Sequence, residues 1–297
     1  MKLDIIKTIL VPVDFMESSQ RSIVEGAKLA KLFKAELILL HVLEMNSSLY
    51  PILDGEDMQH LSVSDLKIFL EHQIKKTGSR LNSRYGIKPR VEVRAGSIAS
   101  EILSFSKKIK ADLIVMGAHG HSGYKEWLIG SNAQTIVDQA SVPVLTISSN
   151  YNKTGFRKIL IPIDNSIHSR EKVNIAMRFA ELFDAEIHIV GLPDTDDDME
   201  LNKFYTKIAS VEKHIDSDNL TYKTSILQGK NLATVAINYA VSKSCDLIVI
   251  NTGHESRLKE VFLGAFSEQI VNHSSVPVLS LKHSYDHYTI ETPGFGV

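Results

Sequence analysis

The sequence predicts two doubly wound α/β domains in tandem, each a parallel sheet with helices on both faces. Three observations predict it: an internal repeat over most of the chain, short apolar runs alternating with longer helical patterns, and glycines gathered after a strand end. The repeat is plain. Lys7-Thr8-Ile9-Leu10-Val11-Pro12-Val13-Asp14 recurs 150 residues later as Arg157-Lys158-Ile159-Leu160-Ile161-Pro162-Ile163-Asp164. The same offset holds through Ala30-Lys31-Leu32-Phe33 against Ala180-Glu181-Leu182-Phe183, the end of a helix running into a strand. It then drops to 134, where residues 111–148 align without a gap to 245–282 with 15 of 38 positions identical, which marks a duplication. The fall in offset puts about 16 extra residues in the first copy, somewhere in 43–95. Tyr151-Asn152-Lys153-Thr154-Gly155, polar and carrying a breaker, joins the copies and sets the domains at 1–150 and 151–297.

Within the first copy the elements follow in β-α-β order. Residues 8–13 form a strand that is apolar at nearly every position, as expected where helices cover both faces of a parallel sheet. A helix over 19–33, a strand over 36–42, a helix over 64–85 and a strand over 89–94 continue the alternation. A helix over 97–109 leads to a second wholly apolar strand, 113–116. Gly130-Ser131 opens a helix over 131–140, with Ser131 expected as its N-cap, and a strand over 142–148 closes the copy. Right-handed crossovers wind such a chain into a layered sheet, whose ligands sit beyond the carboxyl ends of the strands where the winding reverses.

Composition excludes several classes. With 33 Lys+Arg against 35 Asp+Glu, the net charge of -2 offers no global field for nucleic acid or an anionic membrane. The apolar N-terminal segment is interrupted by Lys7, Pro12 and Asp14, so no membrane insertion is expected. The single cysteine, Cys245, cannot close an intrachain disulfide, and a cytoplasmic location is the expectation. Cys245 reads as a packed thiol at a strand start, and the run Asp194-Thr195-Asp196-Asp197-Asp198 as a solvated loop.

Chemistry is expected after the first and fourth strands. Pro12, Val13 and Asp14 end the first; Gly117-Ala118-His119-Gly120-His121-Ser122-Gly123 follows the fourth, with Gly130-Ser131 opening the next helix. Glycines admit an anion close to the backbone, and a helix start offers N–H groups and a favourable dipole to phosphate. A surface turn before a capped helix would use the same residues, and the pairing with Asp14 at a second strand end favours the ligand site. His119 and His121 lack the companion Cys or carboxylates of a zinc site, so no metal ligand is assigned.

These residues resemble the universal stress protein family, whose ATP-binding members carry Gly-x2-Gly-x9-Gly-Ser/Thr after the fourth strand. Gly117, Gly120, Gly130 and Ser131 match each fixed position, alongside Val11-Pro12-Val13-Asp14, His41-Val42 and Val142-Pro143-Val144-Leu145. The resemblance implies a Rossmann-like, adenine nucleotide alpha hydrolase-like fold in both copies. It implies that Pro12, Val13, Asp14 and Val42 frame adenine and ribose, that Met116, Gly117, His119 and Gly120 line the loop, and that Gly130, Ser131, Asn132 and Ala133 hold the phosphates. Asn132 stands where the family has an apolar residue. ATP with Mg2+ on its phosphates is the expected cofactor, and a protein partner and a homodimer are the expected associations.

In the second copy Asn251, His254 and Ala265 replace Gly117, Gly120 and Ser131, so weak or absent ATP binding is expected there. No motif positions a general base. The leading expectation is therefore a nucleotide-dependent stress-response module, not an enzyme; the alternatives are a slow ATPase or adenylate-handling enzyme and a scaffold indifferent to nucleotide.

Overall fold

The computed structural model describes residues 6–15, 17–44, 63–118, 129–148, 151, 153, 155–170, 172–252 and 265–282. Of the stretch expected to hold the first copy's insertion, residues 45–62 lie outside them. The chain divides into two compact units, 1–151 and 152–297. In the first unit the elements are β1 (Thr8–Pro12), α1 (Glu17–Phe33), β2 (Glu36–Leu43), α2 (Val63–Tyr85), β3 (Arg90–Ala95), α3 (Ile98–Lys108), β4 (Leu113–Gly117), α4 (Ser131–Gln139) and β5 (Val144–Ile147). The second repeats the plan with β6 (Lys158–Ile163), a 3-10 turn (Ile167–Arg170), α5 (Val173–Phe183), β7 (Glu186–Gly191) and α6 (Asp198–Ser217). It continues with β8 (Tyr222–Ile226), α7 (Leu232–Ser242), β9 (Leu247–Thr252), α8 (Ala265–His273) and β10 (Val278–Lys282).

Each unit is a parallel sheet of doubly wound, Rossmann-like order, β3-β2-β1-β4-β5 in the first and β8-β7-β6-β9-β10 in the second. The winding reverses between β1 and β4, and between β6 and β9. The central strands are buried on both faces: Ile9, Leu10, Val11 and Ile159, Leu160, Ile161 expose nothing to solvent. That is why they read as unbroken apolar runs. Helix α1 lies so close to the sheet that a Cβ at Gly26 would sit 2.6 Å from Val11 Cγ2, so only glycine fits. In the second unit Phe156, Phe179 and Phe183 form an aromatic cluster with centroids 5.0–6.2 Å apart.

One aspartate per unit ties the central strands together at their starts. Asp112 Oδ2 accepts the N–H groups of Lys7 (2.8 Å) and Thr8 (2.9 Å). Its counterpart Asp246, buried, accepts those of Arg157 (2.9 Å) and Lys158 (3.0 Å) and pairs with Lys153 Nζ at 2.7 Å. Cys245 beside it is buried, and burial pushes its thiol up to about 11, which leaves it unreactive at neutral pH.

Local chemistry changes two expectations and adds to a third. Strand β5 starts at Val144, because Pro143 before it has no N–H to give the ladder. Asp194–Asp197 form the expected solvent-facing loop, and Asp197 at its end also caps α6, its Oδ1 accepting from Met199 and Glu200 N–H at 3.0 Å each. The N-cap of α4 is Gly130, in extended conformation, and Ser131 is the first helical residue. Among the described residues no helix is long and apolar enough to cross a membrane.

Candidate functional site

The predicted site residues of the first unit that are described lie at the carboxyl edge of the sheet, on either side of the β1/β4 reversal. Pro12 ends β1, and the buried Val13 after it donates its N–H to the Leu40 carbonyl of β2 at 2.8 Å. Asp14, next along, is exposed. Val42 lies near the end of β2, and Met116 and Gly117 end β4. The chain leaving β4 is joined to the chain entering α4: the Gly130 N–H reaches the Ala118 carbonyl at 3.0 Å, and the Ala118 N–H reaches Ile147 at 2.9 Å. The start of α4 is thereby anchored to the end of β4. His119 and Gly120 lie outside the described residues.

At the start of α4 the Gly130 carbonyl takes the first helical hydrogen bond, from Gln134 N–H at 2.9 Å. The N–H groups of Ser131, Asn132 and Ala133 have no partner within the helix, as at any helix start, and glycine brings no side chain to cap them. Ser131 and Asn132 are exposed and Ala133 is buried. A helix start of this kind, with its N–H groups and dipole, is a place where an anion can be held.

His41 was noted in the sequence only as a motif residue, and the structure gives it a position of its own. Its Nδ1 lies 2.6 Å from the Val13 carbonyl, and its ring stands 4.7 Å from the ring of Phe15. Burial pushes the His41 pKa below its ordinary value, against the Val13 carbonyl and the Asp14 charge, which favour the proton. Phe15 itself has φ 63°, a left-handed conformation that costs a bulky residue about 1–2 kcal/mol.

The second unit builds the same places differently. Asp164 Oδ1 accepts from Ser166 N–H (3.1 Å) and Ser166 Oγ (2.7 Å), and its own N–H donates to Ser169 Oγ at 3.0 Å. Burial alone would raise the Asp164 carboxyl; the buried Lys172 ammonium and the serine hydrogen bonds outweigh it and hold the pKa below its ordinary value. Lys207 Nζ donates to the carbonyls of Asp164 (3.0 Å), Asn165 (2.8 Å) and Ser166 (2.8 Å), clamping the loop shut. At the other strand end Ser267, buried at the position of Ala133, donates to the Asn251 carbonyl at 2.7 Å. Thr252, in place of Ala118, donates to Leu281 at 3.2 Å. Side chains of the unit itself thus take up several of the described hydrogen-bonding groups at this edge.

The family model for the universal stress protein family matches the chain twice, over residues 6–148 and 155–282. The chain belongs to the universal stress protein family. Among single-domain members, universal stress protein MJ0531 of Methanocaldococcus jannaschii is 32% identical over 141 residues, 48% of this chain and 81% of its own. Universal stress protein G of Escherichia coli O157:H7 is 32% identical over 149 residues, covering 48% of this chain and 98% of its own. A universal stress protein structure from Archaeoglobus fulgidus superposes with a TM-score of 0.75 at 20% identity, covering 93% of this chain and 98% of that one. That structure shares the tandem fold.

As a tandem universal stress protein, the chain holds two versions of one plan. Sequence reading missed the contact that His41 makes, and missed Phe15, Lys172 and Lys207 altogether. A lysine at 172, where the repeat puts Ser22 in α1, was the available signal for a buried cation. His188 on β7 was missed too: buried, its Nε2 lies 2.8 Å from Glu186 Oε1 and its Nδ1 3.0 Å from the Tyr239 hydroxyl. Burial lowers its pKa although Glu186 favours the proton.

His41 and His188 give the two units a common pH dependence. The unfolded chain takes up their protons near pH 6.5 while the fold resists, so their contribution to stability is complete above about pH 6.5 and is lost as pH falls through the lower folded values. The melting temperature is expected to drop between about pH 7.5 and about pH 5.5, a window in which unfolded histidine titrates and most carboxylates do not. His188→Gln should shrink the drop in the second unit; a melting temperature indifferent to pH across that window would overturn the assignment.

Proposed function

We propose that the first unit binds ATP and that the protein is a cytoplasmic, nucleotide-dependent stress-response module, its nucleotide state read by a protein partner or by a second copy of the chain. The observation that carries this reading is the start of α4. A glycine N-cap leaves the amides of Ser131, Asn132 and Ala133 without a capping side chain, at the sheet reversal where doubly wound folds take ligands. The match of Gly117, Gly120, Gly130 and Ser131 to the motif of ATP-binding family members supports phosphate as the anion. In this reading Ser131 donates its hydroxyl to phosphate, the exposed Asp14 accepts from a ribose hydroxyl or the adenine amine, and Mg2+ rides on the phosphates. The second unit is silent, since Asp164 and Ser267 are spent on internal hydrogen bonds. In this reading the module binds without efficient turnover, since no motif in the sequence marks a general base.

The test is to denature freshly purified protein and identify released nucleotide by mass spectrometry, with calorimetric ATP titration of stripped protein. About one adenine nucleotide per chain is expected, with binding lost in Gly120→Asp, which puts a negative charge and a side chain into the matched phosphate motif. No released nucleotide together with no ATP binding on titration would overturn the reading in favour of a scaffold.

A further inference from the structure

We propose that His41 is a positioning residue for the nucleotide site, turning the end of β1 so that Asp14 faces outward; the proposal rests on the ATP-binding reading above. The chain carries its own comparison. In the second unit the carbonyl after the proline of the central strand, Ile163, accepts the Leu192 N–H at 2.8 Å, an ordinary ladder bond. In the first unit the equivalent carbonyl, Val13, is met at 2.6 Å by the His41 ring. A carbonyl only accepts, so Nδ1 carries the proton and the imidazole takes the place of a main-chain donor. The strand accordingly ends one residue sooner, at Pro12 against Ile163.

The chain beyond the strand end differs in step. Phe15 takes a positive φ and turns its ring onto His41, so the residues on both sides of Asp14 are held by one imidazole. Asp14 is left exposed. At the place of His41 in the second unit stands Gly191, where a Cβ would lie 2.5 Å from Ile226 Cδ1, and Asn165 replaces Phe15 without the positive φ. There the aspartate folds inward onto Ser166. One aspartate of the repeat thus has two orientations, and the imidazole with its aromatic partner is what separates them. Backbone strain kept at a bulky residue beside a ligand-facing carboxylate is the mark of a site whose geometry is held for use.

The experiment is a calorimetric ATP titration of the full chain as wild type, His41→Leu and His41→Asn, each with and without Asp14→Asn, with thermal melting to verify folding. His41→Asn retains an N–H donor on a short arm and is expected to bind ATP within about threefold of wild type. His41→Leu is expected to weaken binding about tenfold, and that loss should shrink below about threefold when Asp14 is already replaced, because the two residues act through one interaction. If His41→Leu melts below the titration temperature, His41→Gln replaces it, its amide a methylene further out than the Nδ1 position. A full tenfold loss that persists with Asp14→Asn, or no loss with His41→Leu, overturns the positioning role while leaving ATP binding standing. A wild-type chain that binds no ATP overturns both.

Discussion

A chain carrying Gly117→Asn with Ser131→Ala, the residues that the second unit has at those places, is expected to bind ATP at least 100-fold more weakly than wild type. A hydroxyl donating to a charged group contributes about 1.5–3 kcal/mol, and Ser131 is exposed in the first turn of α4, where such a bond to phosphate would form. An asparagine at the end of β4 adds a side chain where the main chain must come close to the ligand. The two losses together exceed the roughly 2.7 kcal/mol that a 100-fold change in Kd requires. Neither substitution touches the buried core: Gly117 is half-buried at the strand end and Ser131 lies outside it. Melting of both units should therefore stay within a degree or two of wild type. Titration calorimetry at fixed Mg2+ and ionic strength reads the change; a Kd within threefold of wild type would sink the phosphate assignment. The converse substitutions in the second unit, Asn251→Gly with Ala265→Ser, are expected to leave it silent, because Asp164 would still be closed on Ser166 and Lys207 would still clamp the loop.

The fold was legible because the features that make it are local and repeated. Strands such as β1 and β4 are apolar throughout since both faces are covered, and the duplication supplied each pattern twice. The place of the candidate site was legible for a related reason: the β-α-β order puts the ends of β1 and β4 at the reversal of the sheet, and the described motif residues fall there. What escaped were relations between residues far apart in sequence. His41 meets Val13 across 28 positions, and Lys207 reaches Asp164 across 43. Nothing in the spacing of a strand histidine says whether its ring will face a carbonyl or packed methyl groups. The break of α1's counterpart into a 3-10 turn before α5 is of the same kind. It accompanies a buried lysine facing Asp164, a charge pairing that no helical periodicity announces. Ser131 as an expected N-cap failed by one residue, because Gly130 takes the extended conformation that a cap needs.

Asp246→Ala is expected to destabilise the second unit by about 3–5 kcal/mol, the largest effect on folding outside the apolar core. The carboxylate accepts two main-chain N–H groups at the start of β6 and an ammonium from Lys153, and it is buried. Truncation leaves both N–H groups facing a small void, each having lost a charge-assisted bond worth about 1.5–3 kcal/mol; Lys153, nearly half exposed, regains water and adds little. Asp246→Asn, which keeps an acceptor oxygen without the charge, should lose about half as much. Urea unfolding followed by circular dichroism measures the difference, and a loss under about 1 kcal/mol would show that the strand starts are held by packing alone. The same substitution at Asp112 should weaken the first unit in the same way, since its carboxylate meets Lys7 and Thr8 N–H as Asp246 meets Arg157 and Lys158. Duplication has therefore kept the aspartate that joins the central strands in both units, while the aspartate at the opposite strand end has been turned outward in one and inward in the other. Stability should respond to the first pair in either unit, and ATP binding to Asp14 alone.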